Sequence, residues 1–532
     1  MRDFHLPGRS VVFATHGMAA TSMPAATLTA IDVLRTGGNA LDAAVAAMAV
    51  LCVIEPQATG IGGDCFCLYA PAGSGRVTAL NGSGRAPAAA NFAWYAERGL
   101  TGLEADSPHS VTVPGAVGAW ETLLARHGTK GLDELLQPAI RYAEEGFIVH
   151  PRVAFDWERV VDKLRKNGTG GFLPHGAAPA AGERFTPPGL AATLRAIAKG
   201  GARAFYEGAV ASDMVATLRA RGGLHTEADF AAALRGAEFV EPIHTTWRGF
   251  EVWECPPNGI GILVLMLLGI IGGMASAGDG PSGPLRLHRH AEAARLVHRD
   301  RDAFVADPAQ GPVPVQRLTS DAYLSVLRRL IADDRRMSVL PPAGEVSMPV
   351  HADTAYLAVV DRDGNAASLI NSLFQSFGSG ILAEKSGVML QNRGFGFRLE
   401  RGHPNCIAGG KRPMHTIIPG MLTKGGEAVM PFGVMGGQFQ PVGQTLFLTN
   451  FLEYGLDLQE ALDAPRVFPA GGQLEIERGL PAATLEGLER RGHRLTLVDR
   501  PLGGGQAIWI DRAKGVLAGA SDPRKDGIAL GY

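Results

Sequence analysis

Thr354 follows Asp353 at the head of a run, Thr354 to Val360, that alternates with strand propensity. A threonine hydroxyl is a poor nucleophile alone, but a free α-amino group with a pKa near 8 on the same residue can serve as its base. A cut between Asp353 and Thr354 supplies that amine: the hydroxyl attacks the preceding carbonyl, an ester forms, and water completes the cleavage. The chemistry this points to is amide hydrolysis by an N-terminal threonine. The preceding segment, Pro308 to about Val350, is rich in proline and charge, with Arg328-Arg329, Asp333-Asp334-Arg335-Arg336 and Pro341-Pro342, and reads as an exposed linker. The dipeptide alone does not decide the matter, since Asp-Thr pairs are common and usually carry no chemistry.

Other reactive groups read more plainly. The five cysteines, Cys52, Cys65, Cys67, Cys255 and Cys406, are odd in number, and three lie in apolar runs, so buried reduced thiols are expected rather than a disulfide framework. Cys65-Phe66-Cys67 has no second Cys/His pair at zinc-like spacing. His288, His290 and His298 stand among Arg and Glu on a helical stretch and read as a solvated charged face in preference to a metal site. Gly60-Ile61-Gly62-Gly63 resembles a phosphate loop only loosely, without the Gly-Lys-Ser/Thr ending. No metal or organic cofactor is called for.

The elements that must position Thr354 are a strand pair. Asp363-Gly364 is a two-residue hairpin signal, and Ala366 to Leu373 returns as the partner strand. Upstream, Ser22 reads as the cap of a helix starting near Pro24, and Asn39 as the cap of a nearly all-apolar, hence buried, helix from Leu41 to about Val50. A strand from Cys65 to Tyr69 follows. The stretch from about 115 to 310 reads as mainly helical, with helices over Ala116 to Arg126, Leu132 to Glu145 and Leu287 to Phe304. Further short strands run to the C-terminus, with helices near Leu458 to Ala464 and Pro481 to Arg491, while Gly504-Gly505 reads as a turn. Mixed strands and helices predict an α/β or α+β layered domain.

A chain of 532 residues can bury a large core, and 46% hydrophobic with 19% charged residues is the composition of a soluble globular protein. A net charge of -2 gives no reason to expect nucleic acid or acidic lipid as a partner. The most apolar stretch, Ile260 to Met274, is short of the roughly 20 residues of a membrane span and is broken by glycines, so a buried core helix is expected. No signal-peptide pattern opens the chain, which makes the cytoplasm the expected location.

In order along the chain stand Gly17-Met18-Ala19-Ala20, Gly37-Gly38-Asn39-Ala40-Leu41-Asp42-Ala43-Ala44, Gly60-Ile61-Gly62-Gly63, Val113-Pro114-Gly115 and Asp353-Thr354. Val359-Val360-Asp361-Arg362-Asp363-Gly364-Asn365-Ala366, Phe377-Gly378-Ser379-Gly380, Lys411-Arg412-Pro413 and Gly519-Ala520-Ser521-Asp522-Pro523-Arg524 follow. Together they resemble the γ-glutamyltranspeptidase family of N-terminal-nucleophile hydrolases over nearly the whole length. The resemblance implies an α+β, four-layer αββα sandwich, split by self-cleavage into a large piece, 1–353, mainly helical, and a strand-rich catalytic piece, 354–532. It implies Thr354 as nucleophile, Ser372 as the residue that orients its hydroxyl, and the Gly436-Gly437 backbone N–H groups as the oxyanion holders.

The departures from the family pattern concern the substrate. Ser83 stands where the family has the arginine for an α-carboxylate, and Arg85 lies two residues on, on the same face of an extended chain. The acids that would hold an α-ammonium are missing from Gln391-Asn392-Arg393-Gly394-Phe395, and Arg393 adds positive charge, or else serves as a structural ion-pair partner. Phe374 replaces a pocket asparagine, and His415-Thr416 a serine pair. The expected substrate is a small amide with an acidic group but no α-amino group, oxamate-like or glutaryl-type, as in divergent members resembling oxamate amidohydrolase and glutaryl-cephalosporin acylase. A true γ-glutamyl hydrolase or transpeptidase is the alternative, and an inactive binding homologue a remote third. The expected partners are that substrate and the two pieces of one precursor; an oligomer of such heterodimers is left open.

Overall fold

The computed structural model describes His5 and residues 8–342 and 353–532, with only the backbone of Asp353. Two seven-stranded antiparallel sheets face each other. The first runs Val12–Ala14, Val516–Ser521, Gly504–Asp511, Glu427–Met435, Gly420–Lys424, Phe250–Glu254, Ile243–Trp247. The second runs Ile528–Gly531, Met18–Thr21, Asp353–Val360, Ala366–Phe374, Asp64–Ala70, Thr78–Gly82, Glu238–Val240.

Strand alternation builds the layers. Along Asp353–Val360, Ala355, Leu357 and Val359 enter the core shared with helices, whereas Tyr356, Ala358 and Val360 enter the core between the sheets. The outer face of the second sheet is covered by helices that include Ala40–Ile54, buried at every residue. Asn39 accepts from the N–H groups of Leu41 and Asp42, and the Asp42 carboxylate accepts from Asn39 N, closing a capping box. The outer face of the first sheet is covered by Ile262–Gly272, Pro284–Phe304 and Gln440–Leu452. The order is helix, sheet, sheet, helix, the expected four-layer sandwich. The apolar stretch at 260 to 274 is a buried core helix, and among the described residues no helix is long and apolar enough to cross a membrane.

Several expectations are corrected. The hairpin connection is longer than two residues: the ladder closes at Val360↔Ala366, and Asp361 organises the loop. Its Oδ1 accepts from the N–H groups of Asp363 and Asn365, both at 3.0 Å, and its Oδ2 from Asn365 Nδ2 at 2.8 Å and Ala40 N at 2.9 Å. The same carboxylate thus ties the hairpin to the start of the buried helix. Ser22 does not cap its helix but donates to Glu55 Oε2, and Met23 is the N-cap. The span from 115 to 310 also contains the strands Glu238–Val240, Ile243–Trp247 and Phe250–Glu254, and the helix expected over Leu132 to Glu145 breaks into Leu132–Leu135 and Gln137–Glu145, with Pro138 in the first turn of the second. The segment read as an exposed linker holds the helix Asp321–Arg329, which buries Leu324 and Leu327; residues 343–352 lie outside the described residues. His288 and His290 are buried, with His288 Nδ1 2.8 Å from His493 Nε2, so that helix face is packed rather than solvated. Gly504-Gly505 opens a strand instead of making a turn.

Replacing Asp361 by Ala strands two hairpin N–H groups and one helix-start N–H. The hairpin groups can turn to water, but the buried Ala40 N–H left unsatisfied costs about 1–3 kcal/mol, so a fall in the chemical-denaturation midpoint is expected.

Candidate active site

Thr354 and Ser372 are both fully buried and lie on adjacent antiparallel strands, with Oγ1 and Oγ 3.3 Å apart. The register is irregular between Asp353 and Ala355, at the nucleophile itself. Ser372 Oγ accepts from Phe374 N at 2.8 Å and from Arg393 Nη2 at 3.2 Å. Phe374, a bulky residue at φ 83, occupies a backbone region that L side chains rarely adopt, a strain that clusters at functional sites. Its ring lies 4.1 Å from the Arg393 guanidinium.

Arg393 opens the short turn Arg393–Gly396 and is fully buried. Nη1 donates to Thr416 Oγ1 at 2.7 Å, Nη2 to Ser372, and Nε has no partner. Among the described residues no carboxylate is within ion-pair distance of it, so the structural ion-pair alternative has no partner there. Burial pulls its pKa down to about 9, opposed by the Asp64 charge acting through space, so it stays a cation at neutral pH.

Asp64 was not singled out in the sequence, yet it ties the site together. It stands opposite Ser372 in the ladder. Oδ1 accepts from Gly84 N at 2.9 Å, Gly115 N at 3.1 Å and Gln391 Nε2 at 2.8 Å, and Oδ2 from His415 Nε2 at 3.0 Å. The one signal available was an acid heading a wholly apolar strand. His415 Nδ1 accepts from Ile417 N at 3.3 Å, so the ring proton sits on Nε2. Burial, then Arg393, hold the His415 pKa down to about 3, and the ring is neutral.

The glycine pair follows the strand Glu427–Met435, with Gly436 at φ 118 and Gly437 at φ 56. Ser368, which pairs with Ala358, donates to Phe432 O at 3.3 Å, and a Cβ on Gly433 would meet the Tyr356 ring at 2.5 Å. The strand therefore crosses toward the Thr354 end of its neighbour and carries the Gly436-Gly437 turn there. Arg85 is not gathered with this group: partly exposed, it donates to Gly410 O at 3.0 Å and lies 3.8 Å from Asp307 and 3.6 Å from Glu238.

A family model described as gamma-glutamyltranspeptidase matches residues 26–532. The chain belongs to this family. It is 37% identical to the glutathione hydrolase-like YwrD proenzyme of Bacillus subtilis, over 94% of this chain and 95% of that one. It is 34% identical to the oxamate amidohydrolase proenzyme of Klebsiella pneumoniae, over 98% and 99%. The crystal structure of cephalosporin acylase from Bacillus halodurans superposes with a TM-score of 0.92 at 39% identity, covering 100% of this chain and 99% of that one. The chain is thus an amidohydrolase with the N-terminal-nucleophile hydrolase fold.

Cys52, Cys65, Cys67 and Cys255 are buried free thiols, and burial raises the pKa of each. Among the described residues no group of three His, Cys, Asp or Glu could hold a metal ion.

Buried neutral histidines set the acid response. Burial lowers His225 and His298 to about 4 and His415 to about 3. The unfolded chain binds protons at these rings first, near a pKa of about 6.5, so folded stability falls as pH drops below that value. Each ring contributes a loss of about 1.4 kcal/mol per pH unit until its own folded value is reached. Thermal midpoints should therefore decline steadily from pH 6.5 to 4, and a His225→Gln variant should decline less steeply.

Proposed function

We propose that this member of the family is a self-processing amide hydrolase whose Thr354 carries an acyl group bearing a carboxylate but no α-amino group, oxamate-like or glutaryl-type. The observation that carries the reading is Arg393: a buried guanidinium, hydrogen-bonded to the nucleophile's own partner Ser372, with no carboxylate in ion-pair contact among the described residues. A substrate carboxylate supplies the missing anion through charge-assisted hydrogen bonds. A γ-glutamyl substrate offers the same carboxylate but adds an α-ammonium, which is disfavoured near this cation in a desolvated site and needs an acid of its own. Asp64, the acid whose charge acts on Arg393, already takes four donors. Relatives named oxamate amidohydrolase and cephalosporin acylase are compatible with this reading, while others are named glutathione hydrolase.

The precursor step is attack of Thr354 Oγ1 on the Asp353 carbonyl carbon. The C–N bond breaks, its nitrogen takes a proton, and water hydrolyses the resulting ester. This yields pieces 1–353 and 354–532 and a free Thr354 amine. In turnover that amine accepts the Oγ1 proton as the oxygen attacks the substrate amide, then delivers it to the departing nitrogen. The Gly436 and Gly437 N–H groups hold the oxyanion, worth several kcal/mol in such sites. Water, deprotonated by the same amine, releases the acid. Arg85, bound to Gly410 and the acids beside it, takes no part.

On a denaturing gel the purified protein should separate into two pieces, whereas Thr354→Ala should remain one band near 55.9 kDa without activity; splitting of that variant at the same bond would remove Thr354 as nucleophile. A glutaryl anilide or oxamate should be turned over with kcat/KM at least about tenfold above a γ-glutamyl anilide, and efficient γ-glutamyl turnover would refute the substrate reading. Arg393→Met should lower kcat/KM for the acidic substrate by about 1.5–3 kcal/mol, roughly ten- to hundredfold.

A further inference from the structure

We propose that Asp64 and His415 form a positioning pair that holds a carboxylate off Arg393 and so keeps that guanidinium open for the substrate's anion. The inference rests on the reading of Arg393 given above. Asp64 pairs with Ser372 in the ladder, and Ser372 Oγ is itself an Arg393 partner, so a buried carboxylate and a buried guanidinium share one small region. Opposite charges there gain most by direct contact. They do not touch; the Asp64 charge reaches Arg393 only through space.

What prevents contact is saturation by donors from distant parts of the chain. Gly84 N, Gly115 N and Gln391 Nε2 occupy Oδ1, and His415 Nε2–H occupies Oδ2, the oxygen with a single donor. His415 is built to give that proton. Ile417 N fills Nδ1, and the residue's backbone is pinned on both sides, by His415 N to Asn258 O at 2.8 Å and Ile260 N to His415 O at 2.9 Å. The next residue, Thr416, accepts from Arg393 Nη1 at 2.7 Å. Two consecutive residues thus hold the carboxylate in one place and the guanidinium in another.

His415→Phe keeps a ring against Phe66, 4.8 Å away, but removes the donor to Oδ2. The freed oxygen should then compete for Arg393, and KM for a glutaryl anilide should rise about tenfold or more with a smaller change in kcat, since Thr354 and Ser372 are untouched. Adding Asp64→Asn to this variant removes the competing charge while its Oδ1 still accepts three donors, and KM should return toward the wild-type value. A structural role alone makes the double variant as poor as the single or worse, and that result overturns the proposal. If His415→Phe does not fold, as judged by loss of the two-piece product, Gln391→Met removes a different donor and is compared in the same way with and without Asp64→Asn. Wild-type preference for the γ-glutamyl anilide would instead sink the substrate reading, whereas wild-type preference for the glutaryl anilide with an unmoved KM in the variants sinks only the pair.

Discussion

A guanidinium buried without a contacting carboxylate among the described residues is the constraint around which this site is arranged. Desolvating an ion costs several kcal/mol, and a single unpaired one is tolerated only where dipoles and remote charge replace water. Arg393 is met by the hydroxyls of Ser372 and Thr416, the face of the Phe374 ring and the field of Asp64. Each has a structural consequence. Ser372 Oγ is fixed from two sides, by Arg393 and by Phe374 N, before it meets Thr354. Phe374 presents its ring from a backbone conformation unfavourable for its type. Burial moves the Arg393 proton affinity down but leaves the group charged.

The sheets explain why the nucleophile is found beside this cation. Strand side chains alternate between faces, and a slip of one residue would turn each of them over. In the register observed, Tyr356, Ala358, Val360 and Ile370 fill the core between the sheets, and Thr354 and Ser372 continue that face at its end. The Tyr356 ring packs on Gly433, where no Cβ intervenes, and its hydroxyl lies 2.9 Å from Ser368 Oγ, which donates in turn to Phe432 O. This stitch between the sheets sets the direction of the strand that ends at Gly436. The Asp361 loop fixes the other end of the hairpin to the helix start at Ala40. The nucleophile is therefore located by contacts at both ends of one strand pair.

Much of this was legible in the sequence because it is local. Alternation from Thr354 to Val360 and the return from Ala366 specify a two-faced hairpin, and Asn39 before an apolar run specifies a capped, buried helix. The ordered motifs carried the layer order and placed Thr354 with Ser372. What was not legible depends on partners far along the chain. Asp64 takes its donors from residues 84, 115, 391 and 415, and no spacing announces that set. His288 and His290 look like a solvated face because Arg and Glu surround them, but Glu292 is buried against Arg295 and Met337 N, and charges satisfied inside read the same as charges in water. Arg85 has the extended-chain parity of Ser83, yet Asp307 and Gly410, more than two hundred residues away, decide where its guanidinium lies. Asp361 lengthened a turn that Asp363-Gly364 suggested was tight, because one carboxylate offers acceptors to several N–H groups at once.

The proposed junction at 353–354 lies at the head of a strand. The strand that begins there pairs with Met18–Thr21 on one side and Ala366–Phe374 on the other, and both sheets interleave segments from before and after the junction. Side chains reinforce the interleaving: Lys525 Nζ lies 3.6 Å from buried Glu55, and Arg152 donates to Arg524 O. A cut between Asp353 and Thr354 removes one covalent bond and no ladder partner of Ala355 to Val360. The new amine would remain at the head of a strand paired with Ala366–Phe374 from Ala355 onward and with Met18–Thr21 from Ala358, beside a hydroxyl whose own partner is fixed by Arg393. If Thr354 gains its base by this cut, the ladder of Ala355 to Val360 keeps the new terminus in place.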